Sequence, residues 1–193
     1  MLTNLFLQGP RRIGKSTLLR SVLEEIRGEV GGYFVQRLFC RGEHVGFRLV
    51  DVESREPYAL NREIDPGDLE VLDQVIMGKT GAGRWQSYPQ VFETAGVEIL
   101  EGARRGGKRI VLLDELGNIE LGAPGFQEAV LALLASSKKV LGVLKLADNP
   151  FLRKIRERED VEIHDLKPAS YPSVLARVRD FVEAGSASSI NRP

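Results

Sequence analysis

Residues 9–16 read Gly-Pro-Arg-Arg-Ile-Gly-Lys-Ser, the complete G-x-x-x-x-G-K-[ST] pattern of a phosphate-binding loop. The spacing has a mechanical reason. Gly9 and Gly14 let the backbone curl so that successive N–H groups face one anion. Lys15 then reaches the β- and γ-phosphates, and Ser16 offers its hydroxyl to Mg²⁺. A strand should precede the loop and a helix should follow it. Leu2 to Leu7 supplies an apolar run, and Ser16 to Ile26 carries apolar residues at 18, 19, 22, 23 and 26, a helical spacing. That helix, starting near Lys15, adds its N-terminal dipole to the anion site.

Outward from this motif, the chain alternates strand and helix patterns. Gly31-Gly32 interrupts, and Tyr33–Phe39 and Val45–Asp51 then read as two strands joined by the polar turn Arg41-Gly42-Glu43-His44. A short strand is expected over Pro57–Leu60, a short helix over Asp68–Met77, and a flexible basic loop over Gly78–Arg84. Helical spacing recurs over Phe92–Arg105 and is ended by Gly106-Gly107. Arg109–Glu115 holds four consecutive apolar residues before Asp114, the pattern of a central strand buried on both faces. Pro124–Ala135 reads as a helix, Lys139–Leu144 as a buried strand, Phe151–Arg158 as a helix, Val161–His164 as a strand and Tyr171–Glu183 as the last helix. This alternation predicts an α/β fold with a mostly parallel sheet covered on both faces. One domain is expected over residues 1–184, followed by a flexible tail over 185–193.

Asp114 and Glu115 complete the chemistry. An aspartate at the end of a buried strand can hold Mg²⁺ directly or through water. Its neighbour points the other way along a strand, so Glu115 can face the attacking water as general base or orienting group. In an open α/β sheet both Gly9 and Asp114 fall at the carboxyl edge, where ligands bind.

Composition narrows the alternatives. The 193 residues include 27 basic and 27 acidic side chains, a net charge of +0, so no broad nucleic-acid footprint is indicated. Cys40 is the single cysteine, which excludes an intramolecular disulfide and fits a reducing compartment. No apolar run is long enough to span a bilayer, and the N-terminus does not read as a signal peptide, so a cytoplasmic protein is expected. His44 and His164 are the two histidines, too few beside one cysteine for a structural zinc site.

The segment Asp114-Glu115-Leu116-Gly117-Asn118-Ile119-Glu120-Leu121 resembles the D-E-[IL]-G-K-M-E-L block of the THEP1-type nucleoside-triphosphatases. Gly32-Tyr33-Phe34-Val35, Gly46-Phe47-Arg48-Leu49, Tyr88 and Phe92-Glu93 fall in the order of that family's other motifs, and the likeness runs from residue 3 to about residue 180. The resemblance implies a three-layer P-loop NTPase fold of the additional-strand (RecA-like) class with an antiparallel hairpin. It also implies Mg²⁺-dependent hydrolysis of ATP, GTP and other nucleoside triphosphates with broad base tolerance. Carried over by position, Gly9, Pro10, Arg11, Arg12, Ile13, Gly14, Lys15, Ser16 and Thr17 bind phosphate. Ser16 and Asp114 serve the metal, and Lys15 and Glu115 serve catalysis. The sequence departs from the family at Val35, Arg37 and Phe39, where Thr, Glu and Arg are usual, and at Asn118, where Lys is usual. The usual strand-end threonine is missing near Gly142–Lys145.

Other residues carry weaker expectations. Arg11 and Arg12 either touch phosphate or project into solvent. Lys79 and Arg84 either close over the nucleotide or sit on a merely flexible loop, and Trp85 either stacks a base or anchors that loop. Glu120 either orients the acidic loop or caps the helix near Pro124, and Asp165 and Lys167 are weak base-reading candidates. Two further functions stay open on sequence alone: a kinase that passes the γ-phosphoryl group to a small molecule or a polynucleotide end, and a nucleotide-dependent switch with low turnover.

Overall fold

Leu5 and Leu7 face one side of the first strand while Phe6 faces the other, and all three are fully buried. That strand therefore feeds two separate cores, as a sheet with helices on both faces requires. The computed structural model describes residues 2–184; the expected tail, 185–193, lies outside the described residues. The strands are β1 (Asn4–Gln8), β2 (Val30–Cys40), β3 (Glu43–Asp51), β4 (Asn61–Glu63), β5 (Val75–Lys79), β6 (Trp85–Ser87), β7 (Ile110–Leu116), β8 (Lys139–Leu144) and β9 (Val161–Asp165). They form one sheet in the order β6-β5-β3-β2-β7-β8-β1-β9, with β4 beside β2. From β2 to β9 every neighbouring pair is parallel. Beyond β2 the sheet continues through antiparallel β3, β5 and β6.

β8 lies between β1, which leads into the phosphate loop, and β7, which ends in the acidic pair. This interposed strand is the mark of the additional-strand class. Ile110, Val111, Leu112 and Leu113 of β7 are all fully buried, as their unbroken apolar run predicts. On one face α1 (Lys15–Leu23) and α6 (Tyr171–Glu183) pack Leu18, Leu19, Val178 and Phe181 against Leu5, Leu112 and Phe34. The other face is covered by α3 (Val97–Arg105), α4 (Pro124–Leu134) and α5 (Pro150–Arg156), with Phe126, Val130 and Phe151 against Phe6 and Val111.

Six expectations change in detail. Gly31-Gly32 does not interrupt: both residues lie within β2, paired with Val111 and Leu112. A Cβ on Gly32 would stand 2.2 Å from the Leu112 carbonyl oxygen, so glycine marks close strand approach rather than a break. Glu43 and His44 likewise belong to β3, leaving only Arg41-Gly42 as the turn. No strand covers Pro57–Leu60. The short strand falls at Asn61–Glu63, and Ala59 instead gives its carbonyl to Gln36 Nε2 at 2.7 Å. Over Asp68–Met77 only Asp68–Val71 is helical (α2), and Val75 onward joins β3 as a strand; pairing with an available edge overrides a weak local preference. The basic loop over Gly78–Arg84 is the turn of the β5–β6 hairpin, closed by the Thr80 amide donating to the Arg84 carbonyl and the Gly83 amide donating to the Thr80 carbonyl. The helix expected over Phe92–Arg105 begins with a π-helical turn, Phe92–Gly96, before α3.

The parallel arrangement brings the carboxyl ends of β1, β7, β8 and β9 to one edge. Each feeds a loop there, and those loops build the site.

Candidate functional site

Gly9 leaves β1 with φ 145°, and a Cβ there would lie 2.7 Å from the Leu166 carbonyl oxygen. The first turn of the loop thus fits under the segment that follows β9 only without a side chain. Gly14, at φ 99°, is the N-cap of α1. Pro10, Arg11 and Arg12 are exposed along the outside of the curl, with Arg12 left-handed at φ 62°. Ile13 packs inward against the α1 face of the core. Among the described residues, the amides of Arg11 through Thr17 donate no hydrogen bond to a protein acceptor. A curl of free N–H groups at a helix N-terminus is what a phosphate group needs. Lys15 is buried, and its Nζ donates to the carbonyls of Gly9 and Pro10, each at 2.8 Å. Its pKa is lowered chiefly by burial, against the raising influence of Glu115 and Asp114. Thr17 is exposed on the first turn of α1.

Ser16 turns toward β7. Its Oγ donates to Asp114 Oδ1 at 2.9 Å, and Asp114 is 1% exposed. The second carboxyl oxygen, Oδ2, is buried without a hydrogen-bond partner. Burial pushes the Asp114 carboxyl up to about 7, and the nearby Glu115 charge acts in the same direction; the Ser16 hydrogen bond and the Lys15 charge oppose them. An orphaned buried oxygen next to a serine hydroxyl is a fitting donor pair for a hard cation. Among the described residues no cluster of three His, Cys, Asp or Glu side chains could hold a metal unaided. The Ser16–Asp114 pair fits a hard divalent cation of the kind that takes few protein ligands and the rest from substrate oxygens and water.

Glu115 is half-buried at the end of β7, where the pairing with β8 shifts register between Leu113 and Leu116. Its Oε1 lies 2.8 Å from Lys145 Nζ, a residue just beyond β8. Glu120 is buried, and its Oε2 accepts the Gly117 amide at 3.0 Å; it orients the acidic loop. The cap of α4 comes instead from Glu93, which accepts from the amides of Gly125 and Phe126. Burial raises the Glu120 pKa. Asn149 braces the same loop, donating to the Gly117 carbonyl at 3.0 Å and to Asn118 Oδ1 at 2.8 Å while capping α5 through Leu152 N.

The structure thus brings Gly9–Thr17, Asp114 and Glu115 to one sheet edge. Asp165 and Lys167 flank Leu166, against the start of the loop, with Asp165 Oδ1 accepting from Gln8 Nε2 at 2.9 Å. Lys79, Arg84 and Trp85 lie together on one element. They belong to the β5–β6 hairpin, where Trp85 packs 5.2 Å from the His44 ring and 6.0 Å from that of Phe47, with Lys79 above it. Sequence reasoning missed Lys145 and Asn149 as parts of the site. The available signal was their position at the exit of a buried strand, at the same edge as Asp114.

Comparison with known proteins agrees with this architecture. The sequence model described as NTPase matches residues 4–178. The chain is 31% identical over 183 residues to the nucleoside-triphosphatase THEP1 of Ignicoccus hospitalis, covering 92% of this chain and 97% of the relative. It is 26% identical over 174 residues to that of Thermotoga petrophila, covering 90% and 89%. Among solved structures, THEP1 from Aquifex aeolicus shares the fold at a TM-score of 0.67 and 19% identity, covering 91% of this chain and 96% of that one. A human cancer-related nucleoside triphosphatase gives 0.68 at 22% identity, covering 94% and 98%. The chain belongs to the NTPase family, that of the THEP1-type nucleoside-triphosphatases.

Proposed function

We propose that this protein is a Mg²⁺-dependent phosphohydrolase that converts ATP, GTP and other nucleoside triphosphates to the diphosphate and inorganic phosphate. The observation that carries the reading is the Ser16–Asp114 hydrogen bond beside an unpartnered Asp114 oxygen, directly behind a curl of free amides. Family membership supports hydrolysis of nucleoside triphosphates in general. Broad base tolerance is in keeping with the residues assigned here, Gly9–Thr17, Asp114 and Glu115, whose chemistry suits the triphosphate tail that every such nucleotide shares.

The residues divide the work. The amides of the Gly9–Thr17 loop bind and align the β- and γ-phosphates. Lys15 leaves the Gly9 and Pro10 carbonyls for the phosphate oxygens and neutralises charge that builds during transfer. Ser16 and Asp114 would hold Mg²⁺, which would supply further neutralisation of phosphate charge. Glu115 orients a water in line with the γ-phosphorus. The water oxygen forms the new P–O bond, and the bond to the bridging oxygen breaks with its electron pair leaving on the diphosphate. The water proton passes to the Glu115 carboxylate and then to solvent. A single unit over residues 1–184 and a cytoplasmic setting belong to the same reading, the latter supported by the lone Cys40.

Phosphate release from ATP, GTP, CTP and UTP by purified protein, with and without Mg²⁺, tests this. Release from all four within about tenfold of one another, abolished by chelator, is expected. Labelled γ-phosphate that appears on an added acceptor rather than as free phosphate would show a kinase instead.

A further inference from the structure

Lys145 occupies a place that nothing in the phosphate-binding motif or the acidic pair requires. It follows β8, the strand interposed between β1 and β7. Its root is fixed on two sides: its amide donates to the Leu116 carbonyl at 2.9 Å, and its carbonyl accepts from Arg156 Nη2 at 2.9 Å, while Arg156 Nη1 holds the Ala147 carbonyl. The stem then crosses the acidic loop at Gly117. A Cβ on Gly117 would stand 2.5 Å from Lys145 Cδ and 3.3 Å from Cγ and Cε, so the glycine leaves the lane in which the stem lies. Lys145 Nζ ends 2.8 Å from Glu115 Oε1, both side chains about one-third exposed. The other carboxylate of the loop, Glu120, is engaged by the Gly117 amide.

We propose that Lys145 is a positioning residue for hydrolysis, clamping Glu115 Oε1 so that Oε2 is aimed at the attacking water. A glutamate at a strand end otherwise samples several rotamers, and small misplacement of a water-orienting group costs a large share of the rate. A partly exposed ion pair contributes little to stability, so a clamp anchored at root, stem and head serves geometry. This inference rests on the reading of Glu115 given above.

The test compares wild type with K145M, K145R, E115Q and the K145M/E115Q double variant. It measures kcat, KM and affinity for a non-hydrolysable ATP analogue, with single-turnover assays for the slow proteins. K145M should lose about 10- to 100-fold in kcat while KM and analogue affinity stay within about twofold. K145R should recover most of that loss, because it restores a cation at the same reach. The double variant should be no slower than E115Q alone, since the clamp then has nothing to aim. K145M with wild-type kcat overturns the proposal. So does a change confined to KM and analogue affinity, which would mean that Lys145 grips phosphate. A double variant slower than E115Q by the full K145M factor overturns it as well. If E115Q itself hydrolyses at the wild-type rate, the reading of Glu115 fails and the clamp with it; if E115Q is slow and K145M is not, the clamp alone fails. Should K145M not fold, K145Q removes the same charge and carries the same expectations.

Discussion

Ser16 and Asp114 stand 98 residues apart in the chain and share a 2.9 Å hydrogen bond. One side chain comes from the first turn of α1 and the other from the end of β7, so the contact joins the two halves of the chemistry across the sheet edge. It also satisfies only one of the two Asp114 oxygens. The carboxyl is held in a dry setting with one oxygen unpaired, and this arrangement has consequences for pH.

The Asp114 carboxyl is raised from 3.8 to about 7, chiefly by burial. A raised folded-state pKa means that the fold keeps the proton while the unfolded chain has lost it. The stabilising contribution is therefore fully present below about pH 4 and is lost as pH climbs through about 7. Without nucleotide or metal, the D114N variant should lack this part of the pH dependence. Urea unfolding of both proteins between pH 5 and 8 measures the difference: wild type should lose stability relative to D114N across that range, and parallel curves would contradict the assignment. Metal binding needs the ionised carboxylate, so Mg²⁺ affinity in the presence of nucleotide should rise with pH through about 7.

Lys15 is the buried cation of the loop, and its two carbonyl partners are weak competitors for a phosphate oxygen. K15M keeps the apolar stem and removes the charge. Triphosphate affinity should fall about 100-fold or more, the worth of roughly 3 kcal/mol of charge-assisted hydrogen bonding. Calorimetric titration with an ATP analogue checks it; an unchanged affinity would place the triphosphate elsewhere.

Glu115→Gln keeps the shape of the side chain and removes its capacity to take a proton. Analogue binding should stay within about threefold of wild type while hydrolysis slows by about 10²- to 10³-fold. Retained binding with retained turnover would remove Glu115 from the mechanism.

Asn149 is buried and serves three partners at once: the Gly117 carbonyl, the Asn118 side chain and the Leu152 amide. Asn149→Ala leaves a helix N-cap and a buried carbonyl without their partners. A loss of about 1–3 kcal/mol is expected in chemical denaturation, together with lower kcat as the 117–120 loop loosens. A change within about 0.5 kcal/mol would mean that water replaces the amide at no cost.

The parts legible in the sequence were those written in local pattern. The spacing of Gly9, Gly14, Lys15 and Ser16 carries its own geometry, and the apolar run before Asp114 announces a buried strand. The helices at 124–134 and 171–183 carry clear periodicity, and both appear as read. What failed was decided by contacts far along the chain. Val75–Lys79 became a strand because β3 offered it an edge. Gly31-Gly32 resembled a break because the close approach of β7 cannot be seen from residues 31 and 32 alone. Lys145 and Asn149 were invisible as site residues for the same reason: their partners, Glu115 and Gly117, lie about 30 positions away and meet them only through the order in which β7 and β8 pair.

The central claim is that the Gly9–Thr17 curl receives the triphosphate tail while Ser16 and Asp114 hold the metal. A crystal structure with Mg²⁺ and a non-hydrolysable ATP analogue tests this most directly. The account predicts β- and γ-phosphate oxygens against the loop amides and Lys15 Nζ, with the metal at the Ser16 hydroxyl on the Asp114 side. A triphosphate lodged elsewhere on the protein, or a metal remote from both Ser16 and Asp114, would contradict it.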